Sequence, residues 1–208
     1  MTDVAKERQK SPRVRLFVAL DLPEPVREGI LEWGREALSD PALRPTPSQA
    51  LHITLAFLGW SWERDIPRLA EIVHDLRGGA PSVALRPDPV AVPQKGREKR
   101  LFALDAPSEG VADLQGRLEE RLVAARLYKP EKRPFWSHVT VARVRKEKGE
   151  RQRYMTVRAP PGPIPESLRA PFLGVRVTLY RSILRPAGAE YTPLAQVELS
   201  ASTGIGQR

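Results

Sequence analysis

Cysteine and asparagine are both absent from the 208-residue chain, and histidine occurs only three times. Without cysteine there is no structural disulfide, no thiolate zinc or iron–sulfur ligation and no cysteine nucleophile. Without asparagine there is no N-glycosylation sequon and no Cys-His-Asn triad. No apolar run approaches the roughly 20 residues that span a bilayer, and Met1 to Arg15 is charged rather than a signal peptide, so a cytoplasmic protein is the expectation. What the chain does have is 41% hydrophobic residues and enough length for one large domain or two small lobes, which excludes disordered and collagen-like classes.

The net charge of +9 is unevenly placed. Between Arg126 and Arg153 stand ten basic and three acidic residues, a balance of +7. Tyr128, Phe135, Trp136 and Tyr154 are interleaved with them. That is the composition of a surface that holds phosphates and stacks bases, and equally of a solvated loop with a few core aromatics.

Periodicity alternates between strand and helix. Leu16 to Leu20 reads as a buried strand, and Val26, Ile30, Trp33 and Ala37 as the apolar stripe of a helix starting near Pro25. Pro41 to Pro47 reads as a loop and Leu51 to Leu58 as a strand. A second helix carries Ile66, Leu69, Ala70, Val73 and Leu76 and stops at Arg77-Gly78-Gly79. Short strands follow at Val83 to Arg86 and Val90 to Val92, then a strand at Leu101 to Leu104. Ser108 can cap a third helix with Val111, Leu114, Leu118, Leu122 and Ala125 on one face. A strand around Val139 to Val141 comes next. Two late strands, Val175 to Leu184 and Tyr191 to Leu199, follow a stiff Pro160 to Pro165 connector. The expected organisation is a basic N-terminal tail over 1–14, one domain over 15–200 and a short C-terminal tail over 201–208.

This order contains a repeat. Leu16-Phe17-Val18-Ala19-Leu20-Asp21 returns as Leu101-Phe102-Ala103-Leu104-Asp105, and His52-Ile53-Thr54-Leu55 returns as His138-Val139-Thr140-Val141, at offsets of 85 and 86 residues. A duplicated strand–helix–strand unit, and hence a pseudo-twofold molecule, is implied. Side chains alternate along a strand, so His52 shares a face with Thr54, and His138 with Thr140, while the apolar residues between them face the core. Two such His-centred matches among three histidines have a chance probability on the order of 10⁻⁴ at this composition. His74 has no such companion and reads as a residue at the edge of a helix stripe.

A pair of imidazoles suits phosphoester chemistry. One can accept a proton from the entering nucleophile while the other donates one to the leaving alkoxide, and threonine hydroxyls can donate to the non-bridging oxygens. The usual metal signatures are missing: there is no His-Glu-x-x-His, no cysteine ligand and no acidic cluster beside either motif, so neither metal nor cofactor is expected. Gly29 to Arg35 superficially resembles a phosphate loop, but it lacks the Lys-Ser/Thr ending and falls inside a predicted helix.

The two His-x-Thr-x strings, with RLFVALD at Arg15 to Asp21, LHITLAFLG at Leu51 to Gly59 and RPFWSHVTVAR at Arg133 to Arg143, resemble the 2H phosphoesterase superfamily. Within it the resemblance is to bacterial RNA 2′,3′-cyclic phosphodiesterases, also called 2′-5′ RNA ligases, and it runs from about Arg15 to Leu199. It implies an α+β fold of two pseudo-twofold lobes, with antiparallel sheets around a central cleft and helices on the outer faces. It implies metal-independent hydrolysis of a terminal ribose 2′,3′-cyclic phosphate to a 2′-phosphomonoester, and the related 2′-5′ joining reaction. Residue by residue, it makes His52 the proton donor to the departing 3′ oxygen and His138 the base that activates water. Thr54 and Thr140 become phosphate ligands, Arg143 a further phosphate contact, and Phe17 either a wall of the nucleoside pocket or a core aromatic.

The partners implied are RNA ends, such as tRNA fragments or oligoribonucleotides with a cyclic phosphate, with no membrane and a monomeric protein. Small cyclic nucleotides, 2′-5′ oligoadenylates and turnover-free binding of RNA ends are the alternatives. The family commonly has proline before the second motif histidine, where this chain has Ser137. Arg143 has the wrong parity to share a face with His138 on a regular strand and needs a twist or bulge to reach the cleft. The basic link from Pro93 to Arg100 is a candidate extension of the RNA path.

Overall fold

A computed structural model of the chain describes residues 11–93, 98–147, 153–185 and 188–200. Arg13–Asp21 forms β1, in which Leu16, Val18 and Leu20 are buried, and it lies antiparallel between β3 (His52–Trp62) and β9 (Arg176–Arg185). β1 begins two residues before the domain boundary expected from sequence; residues 1–10 of the expected N-terminal tail, and the whole C-terminal tail, lie outside the described residues. The full sheet runs β10 (Gly188–Glu198), β9, β1, β3, β7 (His138–Val144), β6 (Leu101–Asp105) and β5 (Val90–Val92), with β2 (Leu43–Pro45) also paired to β7. All of these pairings are antiparallel. β4 (Ser82–Val83) and β8 (Phe172–Leu173) form a separate two-stranded sheet.

The large sheet is two half-sheets meeting at a seam. β3 and β7 pair only through Ile53 and Val139, both fully buried. Away from that pair, β3 stays with β1, and β7 is taken up by β6 and β2, so the lobes diverge into a cleft.

The sequence repeat recurs as a repeat of register. In the first half Asp21 pairs with His52, Leu20 with Ile53 and Ala19 with Thr54; in the second Asp105 pairs with His138, Leu104 with Val139 and Ala103 with Thr140. The next pairs are Val18 with Ala56 and Phe102 with Ala142, so each half carries one extra residue, Leu55 or Val141, at the same place. These are β-bulges, and each flips the parity of the strand beyond it.

Three helices follow the predicted stripes. α1 (Glu24–Ala37) buries Ile30, α2 (Ile66–His74) buries Leu69, Ile72 and Val73, and α3 (Glu109–Ala124) buries Val111, Leu114, Leu118 and Leu122. Ser108 caps α3 as expected, accepting from the Val111 amide at 3.2 Å. α3 packs on β3 and α2 on β9 and β10, on the side where Ile53, Leu55, Val139 and Val141 join the core. The first glycine of the phosphate-loop lookalike, Gly29, lies in α1 against Leu168, whose Cδ2 an added Cβ would strike.

The differences from the sequence reading are local. α2 ends at His74, before the glycine stop, and Leu76 is buried in the turn that follows. The stretch read as a loop, Pro41 to Pro47, contains β2, which is three residues long and exists through pairing with β7. The strand expected at Val83 to Arg86 contracts to Ser82–Val83, and its partner Phe172–Leu173 has no signal of its own. β10 starts at Gly188, earlier than Tyr191.

Candidate active site

The seam brings the two motifs together. His52 and Thr54 flank Ile53, and His138 and Thr140 flank Val139, so the one β3–β7 pair sets the two motifs side by side. His52, Thr54, His138 and Thr140 all line one cleft of about 800 Å³.

The bulge at Val141 resolves the parity of Arg143. With one residue added to β7, Arg143 comes onto the face of His138 and Thr140 and lines the same cleft. The matching position after the first bulge is Phe57, which is 41% exposed, lies in the cleft wall and has the Arg15 guanidinium 4.8 Å from its ring centre. The duplicated scaffold thus carries a cation in one lobe and an aromatic ring in the other.

The histidines sit in different surroundings. His138 Nδ1 lies 2.7 Å from the Trp136 carbonyl oxygen. A carbonyl only accepts, so Nδ1 carries the proton and Nε2 keeps its lone pair. The Trp136 ring stacks on the imidazole with centroids 4.0 Å apart, and its indole N–H donates to Asp105 Oδ1 at 2.8 Å. His52 is instead walled by rings. Phe17 stacks on it at 5.0 Å and is in turn stacked by Tyr180 at 5.1 Å, while Tyr191 meets His52 edge-on at 5.6 Å. Phe17 touches the cleft but is only 4% exposed, so most of its surface supports the His52 ring.

Each half also ends its first strand in an aspartate that holds one of these rings. Asp105 holds Trp136, and Asp21 accepts from the Tyr180 hydroxyl at 2.9 Å, from Thr178 at 2.8 Å and from Arg176 at 3.0 Å. Burial raises the Asp21 pKa, against the pull of those three donors, and the Tyr180 phenol is pushed up to about 12 by burial and by the Asp21 charge. Burial lowers the pKa of both histidines. His52 falls to about 4, with the positive charges of His138 and Arg143 adding to the effect. For His138 the Trp136 carbonyl and Asp105 oppose the drop, and Arg143 reinforces it.

The charge in the cleft comes from scattered segments. Arg15 on β1, Arg44 on β2, Arg143 on β7 and Arg185 at the end of β9 all line it. Of the basic run from Arg126 to Arg153, Arg143 alone among the described residues is in this wall, while Arg145 and Lys146 line a neighbouring concavity and Lys148 and Arg151 lie outside the described residues. Among the described residues the basic run thus reaches the cleft through Arg143 and the adjoining concavity through Arg145 and Lys146. Tyr128 and Phe135 pack on the core. His74 is exposed at the end of α2. Ser137 is 7% exposed, its hydroxyl has no partner among the described residues, and its carbonyl accepts from the Ala106 amide at 3.0 Å, which holds the entry to β7. Among the described residues no three His, Asp or Glu side chains cluster as a metal site, and no helix is long and apolar enough to cross a membrane.

A bilobal antiparallel α+β fold with one His-Thr pair from each lobe facing a cationic cleft defines a class of two-histidine phosphoesterases. The chain belongs to the 2′-5′ RNA ligase superfamily, whose model matches residues 22–178. It is 32% identical over 200 residues to the RNA 2′,3′-cyclic phosphodiesterase of Thermus thermophilus, covering 93% of this chain and 94% of that one. It is 28% identical over 186 residues to the RNA 2′,3′-cyclic phosphodiesterase of Escherichia coli, covering 89% and 97%. Among solved structures it resembles TT0787 of Thermus thermophilus (TM-score 0.73, 28% identity, 90% of this chain and 99% of that one). It also resembles Escherichia coli LigT complexed with 3′-AMP (TM-score 0.70, 27% identity, 90% and 99%).

Proposed function

We propose that the protein hydrolyses the terminal 2′,3′-cyclic phosphate of RNA to a 2′-phosphomonoester, using its own two histidines for both proton transfers. The observation that carries this reading is the pair of His-x-Thr strands in identical bulged register, meeting at one buried pair and opening onto an arginine-lined cleft. The phosphodiesterase names of the two similar proteins point the same way.

In this reading His138 Nε2 takes a proton from water as the water oxygen bonds to phosphorus. The P–O3′ bond breaks on the opposite side, and His52 gives its proton to O3′. The products are a 2′-phosphate and a free 3′-hydroxyl, with protons and charge balanced. Thr54, Thr140 and Arg143 meet the non-bridging oxygens, where charge grows in the transition state. The low pKa of His52 fits a donor that loads its proton together with an anionic substrate: the phosphate charge offsets Arg143, which helps to depress it. The same two histidines serve 2′-5′ joining when a 5′-hydroxyl replaces water. We place the protein in the cytoplasm, acting as a monomer on RNA ends.

The test is turnover of an oligoribonucleotide ending in a cyclic phosphate, with excess chelator present. Full activity is expected, with His52→Ala and His138→Ala each lowering kcat by roughly 10² to 10⁴. Activity that disappears with chelator, or that survives both substitutions, contradicts the mechanism.

A further inference from the structure

A second concavity, of about 860 Å³, lies on the lobe that carries His138. It shares a wall with the cleft: Arg44 and Arg143, opposite each other on β2 and β7, line both. From there it continues over Arg100, Arg145, Lys146 and Tyr154, with Glu147 the single carboxylate in its lining.

The local backbone builds this surface. Lys146 and Tyr154 form an antiparallel bridge, the Met155 amide donates to the Arg145 carbonyl at 2.9 Å, and the Val144 amide donates to the Arg100 carbonyl at 2.9 Å. Tyr154 is thereby fixed half-buried against the core, with the Lys146 ammonium 5.4 Å and the Arg100 guanidinium 5.9 Å from its ring centre. Arg100, Arg143, Arg145 and Lys146 have no carboxylate partner among the described residues. Cations without acidic partners around a fixed aromatic ring, in a groove leading to a phosphate site, are the elements of a single-strand nucleic-acid track, where charges follow the backbone and a ring stacks a base.

We propose that this concavity binds a stretch of single-stranded ribonucleotide chain continuous with the cleft. Arg44 and Arg143 hold a phosphate at the boundary, Arg100, Arg145 and Lys146 hold the next, and Tyr154 stacks a base. The proposal rests on the reading of the cleft given above and narrows it: an oligonucleotide several residues long is held by contacts that a mononucleotide does not reach. The chain is either the strand that bears the cyclic phosphate or the strand whose 5′-hydroxyl replaces water in joining; its chemistry is the same in both.

The test uses the full chain with Tyr154→Ala and with the pair Arg100→Ala and Lys146→Ala. For an oligoribonucleotide ending in a 2′,3′-cyclic phosphate, KM is expected to rise about tenfold in each variant, the order that loss of one stacked base produces. For a nucleoside 2′,3′-cyclic phosphate, kcat/KM stays at the wild-type value, and Tyr154→Phe restores oligonucleotide KM. A tenfold loss confined to 2′-5′ joining of two oligoribonucleotides supports the site and assigns it to the second strand. Equal effects on the oligonucleotide and the nucleoside substrate, or none on oligonucleotide hydrolysis or joining, overturn it. If neither substrate is turned over, the reading of the cleft fails, and the concavity is decided by anisotropy of a labelled oligoribonucleotide. The slope of log K against log salt should then fall by about 0.7 for each cation removed. An unchanged slope overturns the proposal.

Discussion

At the residue scale the two motif histidines are alike in sequence and unlike in setting. His138 has a carbonyl that fixes its tautomer and a tryptophan tethered by Asp105, whereas His52 has a stack of rings resting on Asp21. Both pKa values are depressed, mainly by burial. The pH profile of kcat/KM, which reports the free protein, is therefore expected to be bell-shaped with both limbs below the ordinary imidazole value of about 6.5. A profile centred above pH 7 would contradict the assignment. The same shift bears on stability. An imidazole whose folded pKa is lowered resists protonation in the native state, so its contribution is full above pH 6.5 and is lost as pH falls towards the folded value of about 4. Stability therefore falls with pH across that window. In urea titrations at pH 6.5 and 4.5, His52→Phe, which keeps a ring in the stack and removes the titrating group, should lose less stability than the wild type. Equal losses would show that His52 is not the neutral group described here. The motif residues themselves were plain in the sequence. Their supports, Asp21, Asp105, Tyr180 and Tyr191, were less so, although both aspartates stood at the ends of the repeated strings, because what they hold is fixed by contacts between distant strands.

At the element scale the bulges at Leu55 and Val141 decide the site, because they turn Phe57 and Arg143 into the cleft. A bulge adds an apolar residue to an apolar strand, so its one trace in the sequence is a consecutive pair, Leu55-Ala56 and Val141-Ala142, where strict alternation expects a polar position. The helices were legible because their apolar stripes, and the Ser108 cap of α3, are local signals. β2 and β8 were not, since each exists through a partner far away in the chain, and β4, expected at Val83 to Arg86, keeps only the residues that pair with β8. Ser108 is a local signal with a non-local use: besides capping α3, its hydroxyl donates to the Ser82 carbonyl at 2.6 Å and ties β4 to the helix. Ser108→Ala is expected to lower stability by about 1 kcal/mol, seen as a lower urea midpoint at unchanged m-value. No change in midpoint would show that the cap contributes nothing.

At the scale of the whole molecule, duplication explains both the architecture and the chemistry. One strand–helix–strand unit presents a His-Thr pair on one face; two units meeting at Ile53 and Val139 present two pairs to one cleft. The two lobes were readable because the strings recur at a nearly constant offset. Beyond Arg143 the cleft's charge was not, since Arg15, Arg44 and Arg185 are scattered across the chain and join it only when β1, β2, β7 and β9 assemble. The central claim is that opposite lobes serve opposite sides of one phosphorus, so that the bond to O3′ is the one that breaks. The most direct measurement is the position of the phosphate in the product of a defined oligoribonucleotide 2′,3′-cyclic phosphate, assigned by phosphorus NMR. The account predicts a 2′-phosphomonoester alone; a 3′-phosphomonoester, or a mixture of the two, would contradict it.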